Sequence, residues 1–201
     1  MAESHDAYHI ADNNDIYEPA RNNTFEFQVT GLGLDDRILR AGVPVAVAND
    51  SDYIKNAEGV LRVAVEASSV PHFELGTIEV RRGNDRVKFA DVPTFSSGTL
   101  VVKDYISKNS GYSNPKDILM AWQALAYDVR SGKINRASTY KKKCSLIEYS
   151  PDWEVVRTWV IEGCWVSAVS EDNFSSESNG NRTFTATIVY DRAYPTYPSA
   201  Q

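Results

Sequence analysis

Three histidines, His5, His9 and His72, are the first candidates for acid–base or metal chemistry near neutral pH. His5 and His9 are four residues apart and share a helical face if that segment is helical, yet none of the three has a cysteine or carboxylate at a ligand spacing such as His-Glu-x-x-His. No metal site is expected. Gly31-Leu32-Gly33 lacks the third glycine of a dinucleotide-binding turn, and no helix with a pyrophosphate-binding N-terminus is read after it, so it reads as a turn. The serines of Ser175-Ser176-Glu177-Ser178 sit in a polar stretch without a histidine base, and neither a Gly-x-Ser-x-Gly elbow nor a phosphate loop occurs. Glu162 and Glu171 can be paired on paper for glycoside hydrolysis, but among 27 acids such pairs arise by accident. Asn22, Asn49, Asn173 and Asn181 open glycosylation sequons that read as products of Asn/Ser/Thr-rich loops. The expectation is a chain with no catalytic residue and no cofactor, hence not an enzyme.

Other side chains speak of contact rather than catalysis. Trp153, Trp159 and Trp165 gather with Tyr149 around Ser150-Pro151-Asp152, an aromatic-rich hairpin. Exposed, such rings form a platform for sugars; Trp159, in phase with Val155 and Ile161, favours the core or a subunit interface. Lys141-Lys142-Lys143 reads as a strand edge guarded by charge, or as a basic patch for an acidic partner. The two cysteines, Cys144 and Cys164, lie in successive strands. A tight hairpin over Ser150 to Asp152 puts Cys144 opposite a residue near Thr158 and leaves Cys164 roughly 15 to 20 Å away at strand rise. That register predicts two reduced, buried thiols with no disulfide.

The elements that would carry these residues are mostly strands. Thr24 to Thr30 alternates, with Phe25, Phe27 and Val29 opposed to Glu26 and Gln28. Val60 to Glu66 reads the same way, with Leu61, Val63 and Val65 on one face, as does Thr183 to Val189, with Phe184, Ala186 and Ile188. One helix is expected, Pro115 to Arg130, with Asn114 placed to cap it, Pro115 in its first turn and Gly132 closing it. Its apolar stripe runs through Ile118, Leu119, Trp122, Leu125, Ala126 and Val129, so Trp122, Leu119 and Leu125 anchor it to a sheet. The fold class is mainly β, a β-sandwich or small barrel with one packed α-helix.

A chain of 201 residues is long enough for one domain with a sizeable core. The expected organisation is a flexible polar arm over 1–23, a single β domain over 24–195 with a long insertion at 31–59, and a tail over 196–201. The insertion is too long for an ordinary connection, and its Pro44-Val45-Ala46-Val47-Ala48 run suits an extended segment laid on a neighbour. Twenty-one basic against 27 acidic residues give a net charge of −6, which argues against stable nucleic-acid binding but not against passage of DNA past a weakly repelling wall. No apolar signal segment and no run of eighteen apolar residues is read, so no membrane partner is expected and folding in a cytoplasm is.

The order of elements from Thr77 to Arg130 has a further meaning. A strand Ile78-Glu79-Val80-Arg81-Arg82-Gly83, then Pro93, then Gly98-Thr99-Leu100, then a helix bearing Leu119 and Trp122, resembles the tail tube proteins of long-tailed bacteriophages. The resemblance continues through the paired strands Lys143 to Tyr149 and Trp153 to Trp165, the Glu162-Gly163-Cys164-Trp165 element and a last strand from Arg182 to Tyr190. It implies a structural virion protein, not an enzyme. Six copies would form a ring whose sheets join into one continuous β-barrel, and rings would stack into the tail tube. The contractile type is the expected one.

The partners this implies are further copies of the chain, a tail sheath, the tape-measure protein, baseplate and terminator proteins, and genomic DNA in transit during ejection. Assembly would take place in the bacterial cytoplasm. Under this reading Pro44, Val45 and Val47 form an inter-ring arm, and Glu26, Glu66 and Glu79, on polar strand faces, are candidate lumen charges. The related alternative is a tube subunit of a type VI secretion or bacteriocin-like injection system. An alternative from another class is a carbohydrate-binding β-sandwich.

Overall fold

A computed structural model describes residues 23–32, 51–105, 114–129, 131–171 and 181–198, with the backbone alone for 51–56 and 171. The protein is mainly β. Its strands are β1 (Phe25–Thr30), β2 (Val65–Ser68), β3 (Phe73–Arg82), β4 (Asp85–Phe95), β5 (Gly98–Lys103), β6 (Tyr127–Asp128), β7 (Lys133–Ile134), β8 (Lys142–Tyr149), β9 (Val155–Glu171), β10 (Thr183–Val189) and β11 (Arg192–Thr196). The helices are α1 (Ser51–Ala64), α2 (Pro115–Ala126) and the single turn α3 (Ala137–Tyr140).

The main sheet runs β1-β8-β9-β10-β5-β2, antiparallel throughout, with β11 added to β9. Strand β9 is the spine. Its first half pairs with β8 on one side and β11 on the other, and its second half pairs with β10. The change of partner falls at Gly163, in left-handed conformation at φ 67°, where three steps of β9 from Ile161 to Cys164 oppose two of β8 from Cys144 to Lys142. This is a bulge, and it bends the strand so that a single chain serves both halves of the sheet.

Alternation decides what is buried. Phe27 and Val29 of β1, Cys144 and Leu146 of β8, and Phe184, Ala186 and Ile188 of β10 all point into the core. Helix α2 lies on β9, and α1 lies on β1 and touches α2. Leu119, Trp122 and Leu125 are buried, and the Trp122 indole N–H donates to the carbonyl of Tyr140 at 3.0 Å, which satisfies the one polar atom the ring takes into the core.

Four expectations need correction. Val60 to Ala64 is helical, not strand; only Val65–Ser68 is β. The buried positions there are Ala57, Leu61 and Ala64, with Val60 packed beside them, which is helical spacing, while Val63 is 75% exposed. The chain therefore packs a second long helix where one was expected, and the expected insertion at 31–59 ends in the first turns of α1. Helix α2 stops at Ala126 rather than Arg130, because Tyr127 turns extended and pairs with Ile134. Gly132, at φ 67°, serves the β6–β7 turn instead of a helix cap, Val129 lies beyond the helix, and the Asn114 side chain makes no cap hydrogen bond. Thr196, placed in a tail, closes β11, where its hydroxyl donates to the carbonyl of Thr158 at 2.9 Å.

The last correction concerns the cysteines. Cys144 stands opposite Ile161, not near Thr158, and Cys164 opposite Lys142, so the two thiols lie diagonally across one strand pair and hydrogen-bond each other. The arm expected over 1–23, save Asn23, and the residues Pro44, Val45 and Val47 lie outside the described residues.

Candidate assembly surface

The β3–β4 hairpin stands apart from the main sheet as a two-stranded sheet of its own. Its turn, Gly83-Asn84, joins Arg82 to Asp85 with Gly83 at φ 64°, the two-residue connection that matches the twist of long paired strands. Among the described residues the ring contacts of the hairpin lie at its base. There the Phe73 ring meets Phe95 at 5.6 Å, Phe95 meets Tyr190 at 6.1 Å, and the Ser96 amide donates to the carbonyl of His72.

Beyond the base both faces are in solvent. Ile78 pairs with Phe89 and Val80 with Val87 on one face; Glu79 pairs with Lys88 and Arg81 with Arg86 on the other. Ile78, Val80, Val87 and Phe89 are all exposed, as is Val92 near the bulge. Two strands without a third layer are marginal in water, and an apolar face at the middle of a ribbon adds to the cost. Between Glu79 and Lys88, four cations stand against two anions, a net of +2 in a chain of net −6. The hairpin thus carries charge of the sign opposite to the body.

The main sheet also ends in unpaired edges among the described residues: β1 pairs only with β8, and β2 only with β5. Such edges are templates for further strands. A third exposed element is the β8–β9 turn, where Trp153 adopts φ 64° and is 70% exposed, its ring 5.8 Å from that of Tyr149. Trp153 accepts this conformation within a closed set of bonds: its N–H donates to the carbonyl of Ser150, the Ser150 N–H donates to the carbonyl of Glu154, and the Glu154 N–H donates to the Ser150 hydroxyl.

The three acids read as lumen charges each have a cationic partner. Glu26 is largely enclosed by Arg62 of α1, Gln28 and Tyr149, with the Arg62 guanidinium donating at 2.9 Å and the Tyr149 hydroxyl at 3.0 Å. Burial by itself raises the Glu26 carboxyl, but the hydrogen bonds from Gln28, Arg62 and Tyr149 outweigh it and hold the group below its ordinary value. Glu66 pairs with Lys103 at 2.9 Å on the surface. Glu79 stands 3.4 Å from Arg86 and 3.5 Å from Lys88 on the hairpin. The three sit on β1, β2 and β3, each with its own cationic partner.

Of the lysine run, Lys141 binds Asp191 at 2.6 Å, Lys142 is half-buried with its ammonium shifted down by burial, and Lys143 is exposed. Trp159 is half-buried and donates to Glu148 at 2.9 Å, so it braces the sheet rather than presenting a platform. Among the described residues no group of three or more His, Cys, Asp and Glu side chains is placed to hold a metal ion, and no helix is long and apolar enough to cross a membrane. The feature that sequence reasoning passed over is the hairpin's solvation on both faces. Only the pairing of its strands was signalled, by Ile78 and Val80 mirrored by Val87 and Phe89 across Gly83-Asn84.

No protein-family model matches the chain, and no curated protein does. Solved structures do. A chain of the PVC sheath–tube complex, an extracellular contractile injection system in its extended state, aligns at TM-score 0.60 and 16% identity, covering 91% of this chain and 95% of that one. A chain of the anti-feeding prophage tube-terminating cap aligns at 0.60 and 16%, covering 94% and 99%. A chain of the anti-feeding prophage baseplate aligns at 0.58 and 13%, covering 92% and 100%. At these identities the likeness is one of fold, and the fold of this chain is the tail-tube fold found in the tube and cap proteins of contractile injection systems.

Proposed function

We propose that the protein is a tube subunit whose copies close into hexameric rings and stack into a hollow cylinder. The observation that carries this reading is the β3–β4 hairpin: a ribbon with an exposed apolar face and a basic tip, on an acidic body with unpaired sheet edges. A ring needs two different, complementary surfaces on each copy, and this chain has a projecting one and a body of opposite charge. The near-complete coverage of both chains in the structural matches supports the same reading, since the whole domain, and not a shared fragment, has the tube-protein shape.

As a phage tail tube the cylinder conducts genomic DNA, within a sheath if the tail contracts, around a tape-measure protein during assembly, and between baseplate and terminator. Assembly takes place in the host cytoplasm. A net charge of −6 suits DNA that must pass and not stick, and a net negative lumen to which Glu26, Glu66 and Glu79 contribute belongs to this reading, as does an inter-ring arm at Pro44, Val45 and Val47. The second reading, a tube of a protein-injecting particle, is favoured by the sources of the matched structures, which are contractile injection systems.

Negative-stain microscopy of the purified chain tests the proposal. Rings or tubes are expected for the native sequence, and Ile78→Lys/Phe89→Lys, which alters only exposed positions, is expected to stay monomeric with an unchanged Tm. A native chain that remains monomeric at high concentration and is retained on a glycan resin overturns the proposal in favour of a carbohydrate-binding module.

A further inference from the structure

The chain has two cysteines, twenty positions apart, and the fold sets them in contact inside the core. Cys144 is the third residue of β8. Cys164 follows Gly163 directly, at the point where β9 leaves its pairing with β8 and β11 and begins to pair with β10. The bulge is what makes them meet. With Cys144 opposite Ile161 and Lys142 opposite Cys164, the two cysteines are diagonal neighbours on the same face of the strand pair, and both are fully buried. Diagonal neighbours across a strand pair lie about 7 to 8 Å apart, just beyond the backbone separation that a disulfide usually spans, so with the two side chains already in contact the bond needs only a small backbone adjustment.

We infer that Cys144 and Cys164 are a latent disulfide that staples the bend of β9 when the chain meets an oxidising environment. The bond would tie together the one place where the two halves of the sheet depend on a single strand. This inference does not rest on tube formation.

The chemistry needs a low-molecular-weight disulfide as oxidant. One cysteine, as thiolate, attacks a sulfur of that disulfide, forming a mixed disulfide and expelling one small thiol. The second cysteine gives up its proton and attacks the protein sulfur of the mixed disulfide, closing the internal bond and expelling the second small thiol. The protein loses two hydrogen atoms and the oxidant becomes two thiols. In the folded protein Cys144 is sealed: burial, then the neighbouring Cys164, push its thiol well above the ordinary range, so it stays protonated and inert. Closure therefore proceeds while the β8–β9 hairpin is open, during folding or refolding, and the native register then holds the bond.

The test is refolding of the full chain from urea in oxidised glutathione, followed by intact-mass measurement and peptide mapping without reduction. The expected product is monomeric, has lost two hydrogens, yields a linked peptide pair containing Cys144 and Cys164, and melts roughly 5 to 15 °C above the same protein after reduction. Cys144→Ala and Cys164→Ala carried through the same protocol should show no internal bond and no such gain. Refolded native chain with both thiols free, with glutathione left on either, or cross-linked between chains overturns the inference, and so does an internal disulfide that lowers the Tm.

Discussion

The carboxylate of Asp191 fills the space that a side chain on Gly163 would need. A Cβ added at Gly163 would collide with the Asp191 carboxylate, and Gly163 is held at φ 67°, which an L side chain rarely adopts. The two are fixed from both sides: the Asp191 N–H donates to the carbonyl of Glu162 at 3.0 Å, and the Lys141 ammonium binds the carboxylate at 2.6 Å. The bend of β9 thus depends on one residue having no side chain.

Gly163→Ala is expected to cost about 2 to 4 kcal/mol, the sum of a left-handed alanine and an overpacked contact. Urea denaturation measures it. Adding Asp191→Ala removes the collision but not the backbone strain, so the double variant should recover part of the loss, a non-additivity that separates the two causes. If Gly163→Ala is as stable as the native chain, the bulge is not where the strand turns.

How far the sequence revealed this architecture depends on how local each determinant is. β1 and β10 were legible because each buries one face, so Phe27 and Val29, or Phe184, Ala186 and Ile188, leave a period of two. The buried stripe of α2 was legible for the same reason at helical spacing, although its end was not, since only the pairing of Tyr127 with Ile134 decides it. α1 was hidden because Leu61, Val63 and Val65 alternate by chance while the true contacts follow Ala57, Leu61 and Ala64; nothing in the segment itself says that Val63 faces solvent. The thiol contact was missed because register accumulates small shifts. Trp153 joins the turn in a left-handed conformation, a second irregularity falls between Glu148 and Tyr149, and Gly163 adds a third. The hairpin's role was the least legible, since exposure on both faces is a property of what surrounds β3 and β4, not of their own alternation.

Trp122→Ala should remove about 3 to 5 kcal/mol and leave little soluble protein. The indole is fully buried at the centre of α2, and its loss also strands the carbonyl of Tyr140 that now accepts the ring N–H. Trp122→Phe, which keeps most of the volume and loses the donor, should fall between. Thermal melts of the three proteins check the order, and a Trp122→Ala variant with the native Tm would show that the helix does not rely on this anchor.

Acid should weaken the docking of α1 through Glu26. The carboxyl sits below its ordinary value of 4.5 when folded, so its contribution is fully present above that value and is lost as pH falls through the lower, folded value. The stability of the native chain should therefore decline more steeply below about pH 4.5 than that of Glu26→Gln, while Glu26→Gln is the less stable of the two at pH 7. Parallel pH–stability curves for the two proteins would remove Glu26 from the account.

Trp153→Gly should stabilise the monomer. In the turn Ser150-Pro151-Asp152-Trp153-Glu154 the fourth residue takes the left-handed conformation that hairpins of this kind ordinarily give to glycine. A bulky residue there costs roughly 1 to 2 kcal/mol. The ring recovers part of that against Tyr149, but most of it stands in water. The three hydrogen bonds that close the turn, two of them between backbone groups and one to the Ser150 hydroxyl, involve no indole atom, so glycine keeps them. The expected gain is about 1 kcal/mol, read as a higher urea midpoint with an unchanged slope. Trp153→Ala separates the causes: it keeps the strained backbone and loses the ring contact, so it should be no more stable than the native chain. Equal stability of the glycine and alanine variants would mean that the ring, and not the backbone, sets the energy of this turn.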